Sequence, residues 1–149
     1  MTSRRGYGGG ELGVAGELMF RAEVLLRGHQ VLVPVADAGV DVFVGDVGVQ
    51  IKASRSEPSR IARYQFNLMG QQSSVARLAG GWSSFVDEVD VFAFACVSEE
   101  FEWRWFLIPR ERLAGVPFSR LIRLNLAPTR KPSRFDFLHE YEDAWHVLG

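Results

Sequence analysis

The sequence predicts an α/β domain built on one mixed sheet with helices packed against it, and three stretches carry that expectation. Residues 11–27 place apolar side chains at three- and four-residue spacing, as a helix does. Residues 39–54, GVDVFVGDVGVQIKAS, read as two short apolar strands around a turn, and residues 89–97, VDVFAFACV, are apolar almost throughout. With 149 residues, 47% of them hydrophobic and 23% charged, the chain fits a single domain with its own core.

In chain order, MTSRRGYGGG (residues 1–10) is glycine-rich and expected to be flexible, and the domain is expected to occupy 11–149. Along the first helix Leu12, Ala15, Leu18, Met19, Ala22, Leu25 and Leu26 form the apolar stripe, and Gly28 follows as its stop. Gly13 and Gly16 each weaken a helix by roughly 1 kcal/mol relative to alanine, which predicts a close approach to the backbone. Pro34 ends a brief strand, QVLVP, before the hairpin. After a loop at 54–60, RYQFNLM (63–69) alternates as a half-exposed strand does. The run at 89–97 is expected to be a central strand covered on both faces, WRWFLIP (103–109) another strand, and RERLAG a single helical turn. FDFLHEYEDAWHVLG is expected to form a terminal helix.

A net charge of −1 rules out nucleic-acid binding by bulk charge alone, but eight basic residues against one acid between Arg104 and Arg134 allow a basic face. The single Cys96 excludes a disulfide framework or a cysteine zinc cluster. No stretch has the ~20 apolar residues of a membrane helix and no signal sequence is evident, so a soluble cytoplasmic protein is expected, with no membrane partner. Walker, dinucleotide and nucleophile-elbow motifs are absent, and no organic cofactor is expected.

Within the hairpin, Asp41, Gln50 and Lys52 interrupt apolar runs. With a turn centred on Asp46 and Val47, opposed residue numbers sum to 93, so Asp41 faces Lys52, and Gln50 shares that face. Lys52 is one of two lysines among seventeen basic residues. A lysine is a compact charge whose proton affinity responds to its surroundings, which suits contact with a water or phosphate oxygen. An acid on one strand beside an amide two residues before a lysine on the next suits metal-dependent phosphodiester hydrolysis. Asp41 offers Mg²⁺ a hard oxygen, Gln50 a neutral carbonyl oxygen, and the backbone carbonyl of Ile51 a third ligand, while Lys52 serves the attacking water or the charge developing on phosphate.

Together, GVAGELMFRAEVLLRGHQVLVP, GVD and VQIKAS resemble the PD-(D/E)XK nuclease superfamily, in particular archaeal Holliday-junction resolvases and the cyanobacterial group I intron homing endonuclease of that fold. Glu17 lies eleven residues before Gly28 and Asp41 thirteen after it, a spacing that suits the resolvase pattern, and the resemblance runs over roughly residues 6–112. It implies a restriction-endonuclease-like core with a central mixed sheet flanked by helices. It also implies a DNA endonuclease using Mg²⁺ with Mn²⁺ as a substitute, Glu17 completing the site from the helix, and a homo-oligomer, dimer or tetramer. The sequence departs from the pattern in two places: Gln50 stands where a second acid is usual, and Gly39 and Val40, with no proline, stand immediately before Asp41. Arg55, Arg60 and Arg63, following the site, are candidates for phosphate contact.

Two plainer readings stand beside this one. A nuclease-fold module that has lost turnover would bind DNA and carry Gln50 as its mark. Alternatively Asp41 and Lys52 form only a cross-strand ion pair, and Glu17 pairs with Arg21 along the helix for about 0.3–0.5 kcal/mol. Trp103 and Trp105 are expected to pack within a strand rather than stack on bases.

Overall fold

A computed structural model describes residues 9–35, 39–56, 63–68, 89–114, 121–127 and 131–149. Helix α1 spans Gly9–Leu26, followed by strands β1 (Val31–Leu32), β2 (Val42–Val44), β3 (Val47–Arg55), β4 (Arg63–Asn67), β5 (Val91–Val97) and β6 (Trp103–Pro109). Helix α2 (Arg110–Ala114), β7 (Leu121–Asn125) and two 3₁₀ helices, Asp136–Tyr141 and Trp145–Leu148, complete the described chain.

The helix ends where glycine allows it to. Gly28 takes φ of 89°, its N–H donates to the Leu25 carbonyl at 3.0 Å, and the His29 N–H returns to the Val24 carbonyl at 3.0 Å. These two bonds satisfy carbonyls that the last turn would otherwise leave open.

Five strands form one sheet in the order β1-β2-β3-β5-β6, with β3 and β5 parallel and the other pairs antiparallel, so the sheet is mixed as expected. All seven residues of β5 are buried, which explains why its sequence shows no alternation: both faces of this interior strand are covered. On one face Val42, Val44, Val49, Ile51, Val91, Ala93 and Leu107 pack against Phe20 and Val24 of α1 and against Trp145. On the other, Phe92, Phe94, Phe106 and Ile108 pack against Phe66, Ile122, Leu124 and Leu138. The second layer is a two-stranded ribbon of β4 and β7.

Gly16 explains how α1 sits so low on the sheet. A methyl group there would lie 3.1 Å from the Ala53 Cβ and 3.7 Å from the Ile51 Cγ2, whereas at Gly13 nothing lies within 4 Å. The predicted close approach therefore belongs to Gly16 alone.

The C-terminal stretch does not form the expected single helix. The Asp143 N–H donates to the Trp105 carbonyl at 2.9 Å and Glu142 bridges to Phe106, which ties the chain to the exposed edge of β6. Asp143 turns into the left-handed region, with φ of 53°, between the two short 3₁₀ segments. Trp145 then closes a ring cluster with Phe20 and Trp105, at centroid distances of 6.0 and 6.1 Å.

Candidate metal and nuclease site

The hairpin register differs from the sequence expectation. Val44 pairs with Val47, Phe43 with Gly48 and Val42 with Val49, so opposed numbers sum to 91 and the loop is Gly45–Asp46. Gly45 carries φ of 58° while Asp46 is not among the residues of positive φ. A glycine of positive φ at the first loop position is what a tight II′ turn needs, and it moves the turn one residue toward the N-terminus of the expected centre. The corrected register takes Asp41 from opposite Lys52 to the level of Gln50 and Ile51.

A second local feature aims the Asp41 side chain. Its N–H donates at 2.9 Å to the Val49 carbonyl, although Val49 is already the ladder partner of Val42. Two residues thus oppose one, which is a bulge. The alternation of faces confirms it: Val40 packs on the Phe92 side of the sheet and Val42 on the α1 side, although a regular strand would place them together. At the bulge the Asp41 carboxylate accepts the Ile51 backbone N–H at 2.7 Å. That N–H, left without a strand partner where β2 departs, is satisfied by a side chain instead.

On β3, Gln50 and Lys52 are in register with Phe92 and Phe94, whose rings belong to the core beneath the β4–β7 ribbon. Gln50 is 2% exposed, and it is the one buried polar or charged residue among the described core positions. Its Oε1 is buried without a hydrogen-bond partner. Lys52 is half-buried. Ser54, two residues further along the same face, receives the Gln65 N–H at 3.3 Å and so ties β4 to β3 beside the site. The sequence reading passes over Ser54, although the period-two step from Gln50 through Lys52 leads to it.

Glu17 follows Gly16 on α1, which packs against Ile51 and Ala53, and is therefore held in the layer across the sheet from Gln50 and Lys52. The Arg21 guanidinium donates to the Glu17 backbone carbonyl at 3.4 Å, and the ion pair along α1 is Arg27 with Glu23, also 3.4 Å. Arg55 ends β3 with its guanidinium 4.9 Å from the Phe101 ring centroid. Arg63 opens β4 opposite Asn125. Arg60 lies outside the described residues.

Much of the basic C-terminal stretch is engaged in packing. Arg104 makes a bidentate pair with Glu142 at 2.7 and 2.8 Å, Arg112 lies over Phe137 and Tyr141, and Arg134 over Phe135. The hydrogen bond from Arg104 holds the Glu142 carboxyl below the ordinary glutamate range. Trp103 stacks on Trp105 at 5.8 Å, within the strand as expected.

Among the described residues no three His, Cys, Asp or Glu side chains cluster for a metal ion. An ion at Asp41 would depend on neutral oxygens, and the partnerless Gln50 Oε1 is one of the right kind: a hard carbonyl oxygen suited to Mg²⁺ or Ca²⁺. The donor types present, one carboxylate and amide oxygens, are of the kind a hard divalent cation takes.

No family model matches the sequence, and no curated protein matches it significantly. Among solved structures, that of a bacterial homing endonuclease, I-Ssp6803I, is similar with a TM-score of 0.61 and 20% identity, over 99% of this chain and 92% of the other. At that identity the likeness speaks for the fold: a single α/β domain on a mixed five-stranded sheet with helices, similar to that of a homing endonuclease.

Proposed function

We propose that this protein is a divalent-metal-dependent endonuclease that hydrolyses phosphodiester bonds in DNA. The observation that carries the reading is the buried Gln50 Oε1 without a partner, next to a bulge that presents Asp41 to the same stretch of β3. Leaving an amide oxygen unsatisfied in a core costs about 1–3 kcal/mol, and a ligand role gives that oxygen something to bind.

In this reading Asp41, Gln50 and the Ile51 carbonyl hold Mg²⁺, with Mn²⁺ as a substitute. The ion supplies Lewis-acid activation of water and neutralises charge on the phosphate. Lys52, two residues beyond Gln50, places an ammonium on the same face, where it orients the attacking water and offsets charge developing on the phosphoryl oxygens. The bond between the Ile51 N–H and Asp41 holds the carboxylate in place before any ligand arrives. Arg55 and Arg63 lie beyond the site along the strands and are assigned to phosphate contact, with Arg60 between them in sequence. The fold shared with a homing endonuclease supports DNA as the substrate.

A DNA-binding module without turnover is favoured by one feature, the neutral amide at position 50, which leaves the site a single carboxylate. Supercoiled plasmid, four-way junction, single-stranded DNA and RNA incubated with Mg²⁺ or Mn²⁺ separate the two. Metal-dependent cutting of DNA that is lost in Asp41→Asn and Lys52→Ala is the expected result. Folded protein that shifts DNA on a gel and cuts nothing would establish the binding module instead.

A further inference from the structure

Helix α1 carries two apolar faces, and only one is used. Gly16, Phe20 and Val24 face the sheet and are buried. Diametrically opposite, Val14, Leu18 and Leu25 are 59, 55 and 57% exposed, and Met19 and Leu26, along one border, are 39 and 85% exposed. Ala22 completes the stripe. An apolar stripe opposite the buried face marks a second surface that is covered.

We infer that this outer face of α1 pairs with α1 of a second copy of the chain, antiparallel, about a two-fold axis near residues 19 and 20. The stripe is self-complementary in that arrangement. Val14 and Leu25 have numbers summing to 39, so each meets the other's counterpart, and Leu18 packs beside the small Ala22 of the second helix. The charges agree with the same register. On a helix of 3.6 residues per turn, Glu17 and Arg21 lie on the other border of the stripe, and their numbers sum to 38. Antiparallel pairing therefore brings Arg21 of each copy to Glu17 of the other, whereas parallel pairing about a two-fold axis would set this charged border against the Met19 and Leu26 border and leave the charges unmatched. An isologous contact repeats this match twice.

The area is also adequate. A stripe of five large apolar side chains amounts to a patch on the order of 400 Å², the size of the largest apolar patches on monomers, which are often functional. Facing its own copy it removes about twice that, and the flanking charged residues bring the contact toward the ~1,000 Å² that a specific interface needs. This inference does not depend on the proposed nuclease activity, and its test involves no DNA.

Sedimentation equilibrium of the full chain should show a dimer at micromolar concentration. Leu18→Glu, at a position exposed in the single copy, should keep the wild-type circular dichroism and weaken dimerisation at least about 100-fold, since each substitution enters the contact twice. The register is read separately by thiol pairing, because the native Cys96 is buried and silent. A Leu18→Cys/Ala22→Cys protein should form a covalent dimer on mild oxidation, and Val14→Cys alone should not. A wild type that stays monomeric at high micromolar concentration overturns the inference, as does a dimer that Leu18→Glu leaves intact. Efficient pairing of Val14→Cys overturns the antiparallel register.

Discussion

The Asp41 carboxylate accepts the backbone N–H of Ile51 at 2.7 Å, so the candidate metal ligand is also a structural partner of the strand that carries the rest of the site. Its two roles are separable by substitution. Asp41→Asn keeps an oxygen for the Ile51 N–H, whereas Asp41→Ala leaves that donor bare, at a cost of about 1–3 kcal/mol. Urea denaturation should therefore rank Asp41→Asn close to wild type and Asp41→Ala well below it, while cleavage is lost in both. Equal destabilisation of the two variants would show that the hydrogen bond contributes little to the fold.

Gln50 should trade stability against ligand binding. Gln50→Met, close in volume and without the partnerless oxygen, should raise the stability of the metal-free protein by about 1 kcal/mol and abolish the melting-temperature increase on adding Mn²⁺. Gln50→Glu places a carboxyl in an apolar site, where burial favours its neutral form. Without metal it should melt lower than wild type at neutral pH, and divalent cation should restore more than the loss. A Gln50→Met protein that still gains stability from Mn²⁺ would place the ion elsewhere.

The contact between Gly16 and Ala53 sets how closely α1 lies on β3. Gly16→Ala brings a methyl within 3.1 Å of the Ala53 Cβ and should destabilise by about 1–3 kcal/mol despite the better helix propensity of alanine. Adding Ala53→Gly removes the opposing methyl and should recover most of that loss. Thermal melts of the single and double variants measure the coupling.

Burial pushes the Cys96 thiol far above its ordinary range, so it stays protonated and shielded in the folded chain. A thiol reagent at pH 8 should label it only at the rate of unfolding, and in urea the labelling should follow the unfolding curve. Fast labelling of the native protein would contradict the interior position of β5.

Acid should weaken the attachment of the C-terminal segment. The hydrogen bond from Arg104 lowers the Glu142 carboxyl below the ordinary glutamate value of 4.5 in the folded chain, so its contribution is present above that value and disappears as the pH falls through the folded one. Both side chains are partly exposed, 46 and 31%, so the contribution is about 0.2–1 kcal/mol. Below pH 4.5 the stability gap between wild type and Glu142→Gln should close; a gap independent of pH would assign the effect to packing.

The elements that the sequence announced are those whose pattern has one physical source. The unbroken apolar run of β5 and the strand from Trp103 to Pro109 follow from which faces are covered, and they stand where expected. Helix α1 stands where expected too, but the face it buries is Gly16, Phe20 and Val24, and the expected stripe through Leu18, Met19, Ala22, Leu25 and Leu26 is exposed. The stretch after Gly115 was opaque because Leu121–Asn125 is a short strand that pairs with β4 across a long separation in sequence. The terminal 3₁₀ segments were equally hidden, since what breaks the helix there is the edge of β6 rather than any residue within the segment.

For the site, residue types and spacing alone identify the chemical set: Asp41, Gln50 and Lys52 as polar groups within apolar strands, with Gln50 and Lys52 on one face by the period of two. Tertiary structure decided their relation. A glycine of positive φ set the turn at Gly45–Asp46, the bulge turned Asp41 onto the Ile51 N–H, and the layer packed over Phe92 and Phe94 left the Gln50 oxygen in the core without a partner. Alternation along a strand is a local property that residue types record, but register, bulges and the satisfaction of buried polar atoms depend on which backbone lies opposite, and that is settled only when the layers close.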